Sequence, residues 1–498
     1  MKTDSSTVPR LRCVILGLSG FPTAAVLAVL MAGTLSGLAG CQSYERKPLD
    51  LDATRSAWLT RSPADPSVRA FAAALDQAER GSRADGFEPS DGLSLAEAEA
   101  VVLVFNPDLR QARLEANVTR ATATHAGLWQ DPVLGVDLER IVSGAGGANP
   151  WVAGSTIGIT IPISGRLEAE KARAGADLGA ELDRLAAKEW ATRSALRELW
   201  VEWSVARVRA EVAEALITRL REVALLAERQ EQAGSMTRVD ARLFRVELAG
   251  READLIATTS RVKELELHLR AMLGFAPETS LTLVPTVTFV ARTTRMDELR
   301  RLLGSSNPEL IAVRAAYEVS EQSLRTEVRK QYPDLTIGPG YGTDQGDSRV
   351  LLGLSLPIPL WNRNQQGVAQ ASAQREVARG RFETTYEHLS SKLAIALTRF
   401  ESGKAQRAMV ESSVVPLADE QEADVRRIAA LGRVDPLLLL ESLKTQYAAK
   451  VLLVEARATE SIGAVRLDEL IGPAVPEPTQ TTVPASPTTT PVHSAIER

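Results

Sequence analysis

Few residues of this chain have the types and spacing that chemistry needs. Its 498 residues include two cysteines, Cys13 and Cys41, and four scattered histidines, His125, His268, His388 and His493. These form no cysteine pairs of zinc-ligand spacing, no disulfide framework and no nucleophile-base grouping, so neither an enzyme, a cofactor nor a bound metal is expected. The stretch "GPGYGT", Gly338 to Thr343, lacks the lysine and the strand-to-helix setting of a phosphate loop and reads as a glycine-rich strand. One thiol and four carboxylates remain. Cys41 closes "LAGC" behind an apolar run from Cys13 to Leu38, preceded by Lys2, Arg10 and Arg12. That order reads as a lipoprotein signal, the alternative being an ordinary secretory signal or N-terminal anchor: residues 1–40 are expected to be removed and Cys41 acylated, tethering the protein to a membrane outside the cytoplasm. The carboxylates Asp240, Glu247, Asp435 and Glu441 lie at or just after two glycine-bearing turns, with Arg238 and Arg433 beside them. Rings of such carboxylates around a pore favour cations, whereas Asp240 and Asp435 are also explained as helix caps.

The elements that place these residues come in two copies. "NPDL" at Asn106 recurs as "NPEL" at Asn307, and "RVD" at Arg238 recurs at Arg433. "IPI" at Ile161 is likewise echoed by "LPI" at Leu356. Offsets of 195 to 201 positions make this an internal duplication in which each half reads helix, two strands, very long helix, turn and second long helix. "SLAE" at Ser94 is a capping box, and Asn followed by Pro opens each "NP" helix. Pro-free sequence from Arg166 to Gln232 implies roughly 100 Å of helix. Along it Leu196, Leu199, Trp203, Ala206, Ala210, Ala213, Ile217, Leu220, Ala224 and Ala227 step by threes and fours, a seam rich in alanine that suits closely packed neighbouring helices. Tyr386, Leu389, Leu393, Ala396 and Phe400 repeat the spacing before Pro416, which should kink or break the second long helix. In the turns "QAGSMTRVD" and "ALGRVDP", Gly234 and Gly432 follow a helix end, and Asp240 and Asp435 are placed at the next N-cap.

The expected organisation is a signal peptide over 1–40, an extended arm over 41–93 and a first repeat over 94–275. A linker over 276–296, a second repeat over 297–472 and a Pro/Thr-rich disordered tail over 473–498 complete it. Strands are expected at Asp131–Arg140, Ala153–Ile163, Asp334–Gly342 and Arg349–Leu360, each long enough to cross a bilayer when tilted. Trp129, Trp151, Tyr332, Tyr341 and Trp361 flank them as an aromatic girdle would, the alternative being core aromatics at element ends. Four strands cannot close a barrel, and open edges are not tolerated in lipid, so copies must pool their strands. Three copies give twelve. The fold class is therefore mainly α: a long coiled-coil helical barrel below a small β-barrel, completed as a trimer. A formal charge of −5, with both signs mixed along the chain, offers no stripe for nucleic acid.

Over Ser94 to Gly472 these features together resemble the TolC-like outer-membrane factor family. The resemblance rests on the lipobox, the duplicated "NPDL/NPEL" helices, the strand pairs and the turns "GSMTRVD" and "LGRVDP". "LPIPLWNRNQQG", Leu356 to Gly367, is similar to the heavy-metal efflux branch, of cobalt/zinc/cadmium or copper/silver type. It implies a passive, homotrimeric export duct in outer-membrane lipid that docks through its helical tips, at Gly234 and Gly432, to a periplasmic adaptor (membrane fusion protein) and an inner-membrane pump. It also implies carboxylates at the tip gate, Glu441 above all. Two other readings share the long helices: a periplasmic adaptor, which would carry one hairpin between compact β domains, and a lipid-anchored structural coiled coil, which would need no amphipathic strands. Cargo, metal or drug, is left open, since mature methionines and histidines are sparse.

Overall fold

The computed structural model describes residues 44–78, 87–143, 150–344, 346–431 and 435–473. Cys41, Gly432, Arg433 and the tail beyond Pro473 lie outside them. The chain divides into two compact units after Ala57. The first unit's described residues open helix α1, Leu51–Leu59, where the Asp50 carboxylate accepts the Ala53 N–H at 2.9 Å. Helix α2 follows at Pro66–Ala78. The expected extended arm is thus partly helical, because Pro66 sits at a helix start, where a missing N–H does no harm.

The duplicated order then appears. Helices α3 (Leu95–Phe105) and α4 (Pro107–Thr124) lead into β1 (Val133–Arg140) and β2 (Trp151–Ile161), then α5 (Arg166–Gln232) and α6 (Arg238–Met272). The second copy is α7 (Met296–Ser306), α8 (Pro308–Arg329), β3 (Leu335–Asp344), β4 (Asp347–Ser355), α9 (Gln365–Met409), a π-helical turn (Val410–Val414), α10 (Val415–Ala430) and α11 (Pro436–Ile471). Ser94 and Glu97 form the capping box, and Asn106 and Asn307 each cap the next helix by accepting the N–H three residues on, with proline next.

Length and seam in α5 match expectation. The helix has 67 residues, and nine of the ten seam positions are buried, with Leu199 half-buried. In α9, Leu389, Leu393, Ala396 and Phe400 are buried, but Tyr386 is 42% exposed. α5 packs against α6, α8 and α11, and α9 against α8 and α11, so the long helices lie side by side. Trp200 anchors the core of the first repeat, shared by α3, α5 and α6, and Leu393 that of the second, shared by α7, α9 and α11. A third cluster near the turns joins Leu220 of α5, Phe244 of α6 and Leu443 of α11.

Pro416 does not end its helix. The π turn absorbs it, and helix resumes to Ala430. β4, in contrast, stops at Ser355 rather than Leu360, because Pro357 and Pro359 have no N–H to give a ladder. The alternation of Leu356 and Ile358 therefore continues the apolar pattern without continuing the strand.

Candidate functional site

The four strands form one antiparallel sheet in the order β1-β2-β3-β4, so the two repeats meet at β2 and β3. Residues paired directly across a ladder share a face. Leu134 pairs with Ile157 and Val136 with Ser155; Ser155 pairs with Tyr341, Ile159 with Ile337, and Ile337 with Leu354. One face is therefore large and apolar, and it is open: Val136 is 71% exposed, Leu352 72% and Val350 86%. The opposite face carries Asp137, Glu139, Thr156, Thr160 and Thr336 together with all the sheet's glycines outside its turns, among them Gly338 paired with Gly353. "GPGYGT" lies inside β3, as expected of a strand. A Cβ at Gly340 would stand 2.7 Å from the Ser155 carbonyl, so this face tolerates little bulk there. An apolar face this exposed calls for lipid or a partner. Both outer edges, on β1 and β4, have no strand beside them among the described residues. Trp129, Trp151, Tyr332, Tyr341 and Trp361 are all between 45% and 88% exposed rather than core residues, and the Arg140 guanidinium lies 5.6 Å over the Trp151 ring.

The sheet joins the helices at two left-handed junctions, Gly165 (φ 71°) before α5 and Arg363–Asn364 (φ 45° and 48°) before α9. The end of α8 braces the second: Asn364 Nδ2 donates to the Glu327 carbonyl and to its carboxylate, each at 2.8 Å. Burial pushes the Glu327 carboxyl up, but hydrogen bonds from Lys330 and Asn364 outweigh it and hold it below its usual range.

At the other end lie the hairpin turns. Gly234 adopts φ 72° after α5, with open space where a Cβ would be. Asp240 is not an N-cap, contrary to expectation: the Thr237 side chain caps α6, accepting the Asp240 N–H at 3.2 Å and donating to its carboxylate at 2.7 Å. Thr is among the preferred cap residues and comes earlier in "SMTRVD", so the helix has already begun when the chain reaches Asp240. Asp435 does cap α11, accepting the N–H of Leu437 at 3.0 Å. Glu441 is 66% exposed on its side chain, with Lys444 at 3.5 Å, and Glu247 pairs with Arg251 at 2.8 Å. Arg238 is engaged by Glu231 at 3.5 Å, which also takes Arg245 at 3.2 Å. Asp240, Glu247, Asp435 and Glu441 are thus each served by their own helix or its cap, whereas Glu231 of α5 joins arginines of α6. Among the described residues no group of three His, Cys, Asp or Glu side chains is placed to hold a metal ion.

An ion network at the middle of the helices escaped the sequence reading. The buried Glu99 carboxylate of α3 receives Arg193 at 2.6 Å and Arg197 at 2.5 Å from α5. Arg197 also reaches Asp468 of α11 at 3.5 Å, and Asp468 binds Arg292 of the inter-repeat segment at 2.7 Å. Burial pushes the Glu99 carboxyl up, but the two guanidiniums more than reverse this and hold it below the usual range. The segment expected as a plain linker, 276–296, is a strap across two helices. Its Val284 carbonyl accepts the Trp200 indole N–H at 3.1 Å, its Thr286 N–H donates to Ser204 Oγ at 2.9 Å, and its Val287 carbonyl accepts Ser461 Oγ–H at 2.7 Å. The one sequence signal was Glu99 itself, a charge inside the apolar run "AEAEAVVLVF".

Known proteins share this architecture. The sequence profile of the outer membrane efflux protein family matches residues 101–275 and again 299–473, once in each repeat and over more than two thirds of the chain. The cobalt-zinc-cadmium resistance protein CzcC of Cupriavidus metallidurans is 24% identical over 249 residues, covering 49% of this chain and 59% of CzcC, so the match spans less than two thirds of that relative. Solved structures share the fold at lower identity. The outer-membrane channel OprN matches with a TM-score of 0.65 at 16% identity over 87% of this chain and 98% of its own. CusC matches with 0.63 at 15% over 76% and 92%, and VceC of Vibrio cholerae with 0.63 at 17% over 76% and 96%. With both of its repeats matched in this way, the chain belongs to the outer membrane efflux protein family.

Proposed function

We propose that this chain is the outer-membrane channel of a tripartite efflux system, an export duct formed by three copies. The observation that carries this reading is the two-faced sheet, apolar on one side, glycine, threonine and acid on the other, with both edges open. Three copies laid edge to edge bring the apolar faces to lipid and the small polar faces to a lumen, and leave no ladder unpaired. Edge helices support the same closure. On α6, Val239, Leu243 and Val246 form an exposed heptad stripe, and Leu417 and Ile428 of α10, with Leu431 at its C-cap, are exposed as well, each suited to the neighbouring copy.

In this reading the turns around Gly234 and Gly432 meet the periplasmic adaptor, which connects the duct to an inner-membrane pump. Asp240, Glu247, Asp435 and Glu441, with Arg238 and Arg433, ring the periplasmic mouth, and acylated Cys41 adds a second membrane attachment. A metal cation is the preferred cargo, because the name of the relative CzcC declares cobalt, zinc and cadmium resistance. The sheet disfavours an adaptor or a structural coiled coil, neither of which needs an apolar sheet face exposed on this scale.

Purified full-length protein should run as a heat-stable trimer in detergent and conduct ions in planar bilayers. Absence of conductance from correctly assembled protein would refute the duct. Sensitivity of a deletion strain to metals and to drugs assigns the cargo. Mass spectrometry of the mature N-terminus tests Cys41, and an unmodified thiol there refutes the anchor.

A further inference from the structure

Where α8 meets α11, the helices enclose a cleft that the duct reading does not use. Asn307, at the start of α8, donates from Nδ2 to the Leu470 carbonyl at 2.8 Å, so α8 is seated on the end of α11. Beside this seat α5 and α9 stand apart and leave a cleft of about 500 Å³. Its floor is apolar: Leu389, Ala396 and Leu470 are buried there, and Trp190 of α5 makes one side, its indole N–H donating to the Glu469 carbonyl at 2.9 Å. Every wall comes from a single chain. Neither α6 nor α10, the helices offered for contact between copies, lines it.

The charges around the cleft are sorted by sign. Glu198 and Arg466 satisfy one another at 2.8 Å. Of the remainder, α9 presents two cations, Lys392 and Arg399, two turns apart on one face, whereas α8 and α11 present two carboxylates, Glu309 and Glu469. None of these four side chains has a hydrogen bond or an ion pair among the described residues. Lys392 is near enough to Glu469 to favour its ionised form, but burial first, and then Glu198, push the Glu469 carboxyl above its usual range. The exposed cations need no partner. A half-buried carboxylate without one is costly, and in a cleft between helices it marks a place for a ligand.

We propose that this cleft binds a small apolar zwitterion, an α-ammonium carboxylate with an aromatic or aliphatic body. The ammonium group meets Glu469, with Glu309 at the rim, and the carboxylate is held across the cleft by Lys392 and Arg399. The body lies on Leu389, Ala396 and Trp190. A molecule carrying only one of the two charges leaves one wall unmatched, so the site discriminates by charge pattern before size. The site is complete in one chain and does not rest on the duct reading.

Calorimetric titration of the full-length protein in detergent tests this with three probes that share one ring. L-phenylalanine carries both charges, N-acetyl-L-phenylalanine the carboxylate alone and phenethylamine the ammonium alone. L-phenylalanine should bind about tenfold more tightly than either and raise the unfolding temperature. Glu469→Gln, expected to fold no less stably at pH 7, should weaken L-phenylalanine about tenfold and leave N-acetyl-L-phenylalanine unchanged. The Lys392→Gln, Arg399→Gln double variant should weaken it as much and leave phenethylamine unchanged. Absence of saturable L-phenylalanine binding to folded protein, equal binding of the three probes, or wild-type affinity in either variant overturns the proposal. Planar-bilayer recording keeps the two readings apart: protein that binds L-phenylalanine in this pattern but conducts nothing refutes the duct and supports the site.

Discussion

Glu99 is a carboxylate that the fold can hold only because two arginines come with it. Glu99→Gln leaves the Arg193 and Arg197 charges facing each other in a largely buried site, and should cost roughly 3 kcal/mol of stability at neutral pH. Because its folded pKa lies below the unfolded value, this stabilisation is full at neutral pH and is lost as pH falls below about 4.3 toward the lowered folded value. Glu469 behaves in the opposite sense. Burial first, and then the nearby Glu198, push its carboxyl up, so its contribution is full in acid and is lost as pH rises through the raised folded value. Thermal unfolding at pH 7 should therefore show Glu99→Gln clearly destabilised and Glu469→Gln unchanged or more stable; equal losses would contradict both assignments. The tip carboxylates separate by the same logic. Asp435→Ala removes a cap and should cost about 1 kcal/mol whatever the pore does. Among the described residues Glu441 pairs with Lys444 alone, in an exposed contact, so Glu441→Ala should barely affect unfolding. A fall in cation preference, read from reversal potentials of Glu441→Ala, then isolates a role in the pore, and wild-type preference removes Glu441 from it.

The sheet makes a sharper claim, because register fixes which face each side chain occupies. Leu352→Arg places a charge among Leu354, Val350 and Ile337's neighbours on the apolar face, where a bilayer penalises it by roughly 2–4 kcal/mol near the midplane. Thr156→Arg places the same side chain on the opposite face. The first variant should fail to yield heat-stable assemblies in membranes and the second should assemble with reduced conductance; normal assembly of both would mean that the apolar face does not meet lipid. How far these elements could be read in advance followed from where local signals sufficed. α5 was legible to the residue, because Arg166 to Gln232 runs without a proline, carries a heptad seam from Leu196 to Ala227 and is followed by the turn glycine Gly234. β4 was overextended, since period-two apolarity persists through Ile358 after Pro357 has ended the ladder. α1 and α2 were missed because short helices opened by Asp50 and Pro66 look like irregular, proline-bearing sequence. Pro416 was read as a kink or a break, and a break is avoided because a π turn lets the chain reroute one hydrogen bond and continue. Glu99 drew no attention because its partners are more than 90 residues away, a distance at which no local pattern speaks.

At the scale of the whole molecule, the sheet has two outer edges with no strand beside them among the described residues, and the proposed duct satisfies them with other copies. Each copy contributes four strands and leaves β1 and β4 bare, so a closed ring needs copies related by rotation, with the β4 edge of one meeting the β1 edge of the next. Two copies give eight strands, a barrel whose interior side chains would fill, and three give twelve, which leaves a passage. In the proposed ring the helices obey the same rotation, and α6 and α10 are the helices offered here for the contact between copies. Side chains there meet that demand: Val239, Leu243 and Val246 are 69%, 51% and 71% exposed in the single chain, and Leu417 and Leu431 are 65% and 81% exposed. Burying such a seam removes apolar area from water at about 25 cal/mol per Å², in register with the strand pairing above it. A Leu243→Asp, Val246→Asp double variant should therefore keep its helical circular dichroism, since neither residue is buried within the chain, yet lose much of the trimer. Native mass spectrometry in detergent reads the outcome. Three chains for the wild type and a shift toward single chains for the variant support closure by three; a wild type of any other copy number, or a variant that remains fully trimeric, shows that the ring is built through other surfaces.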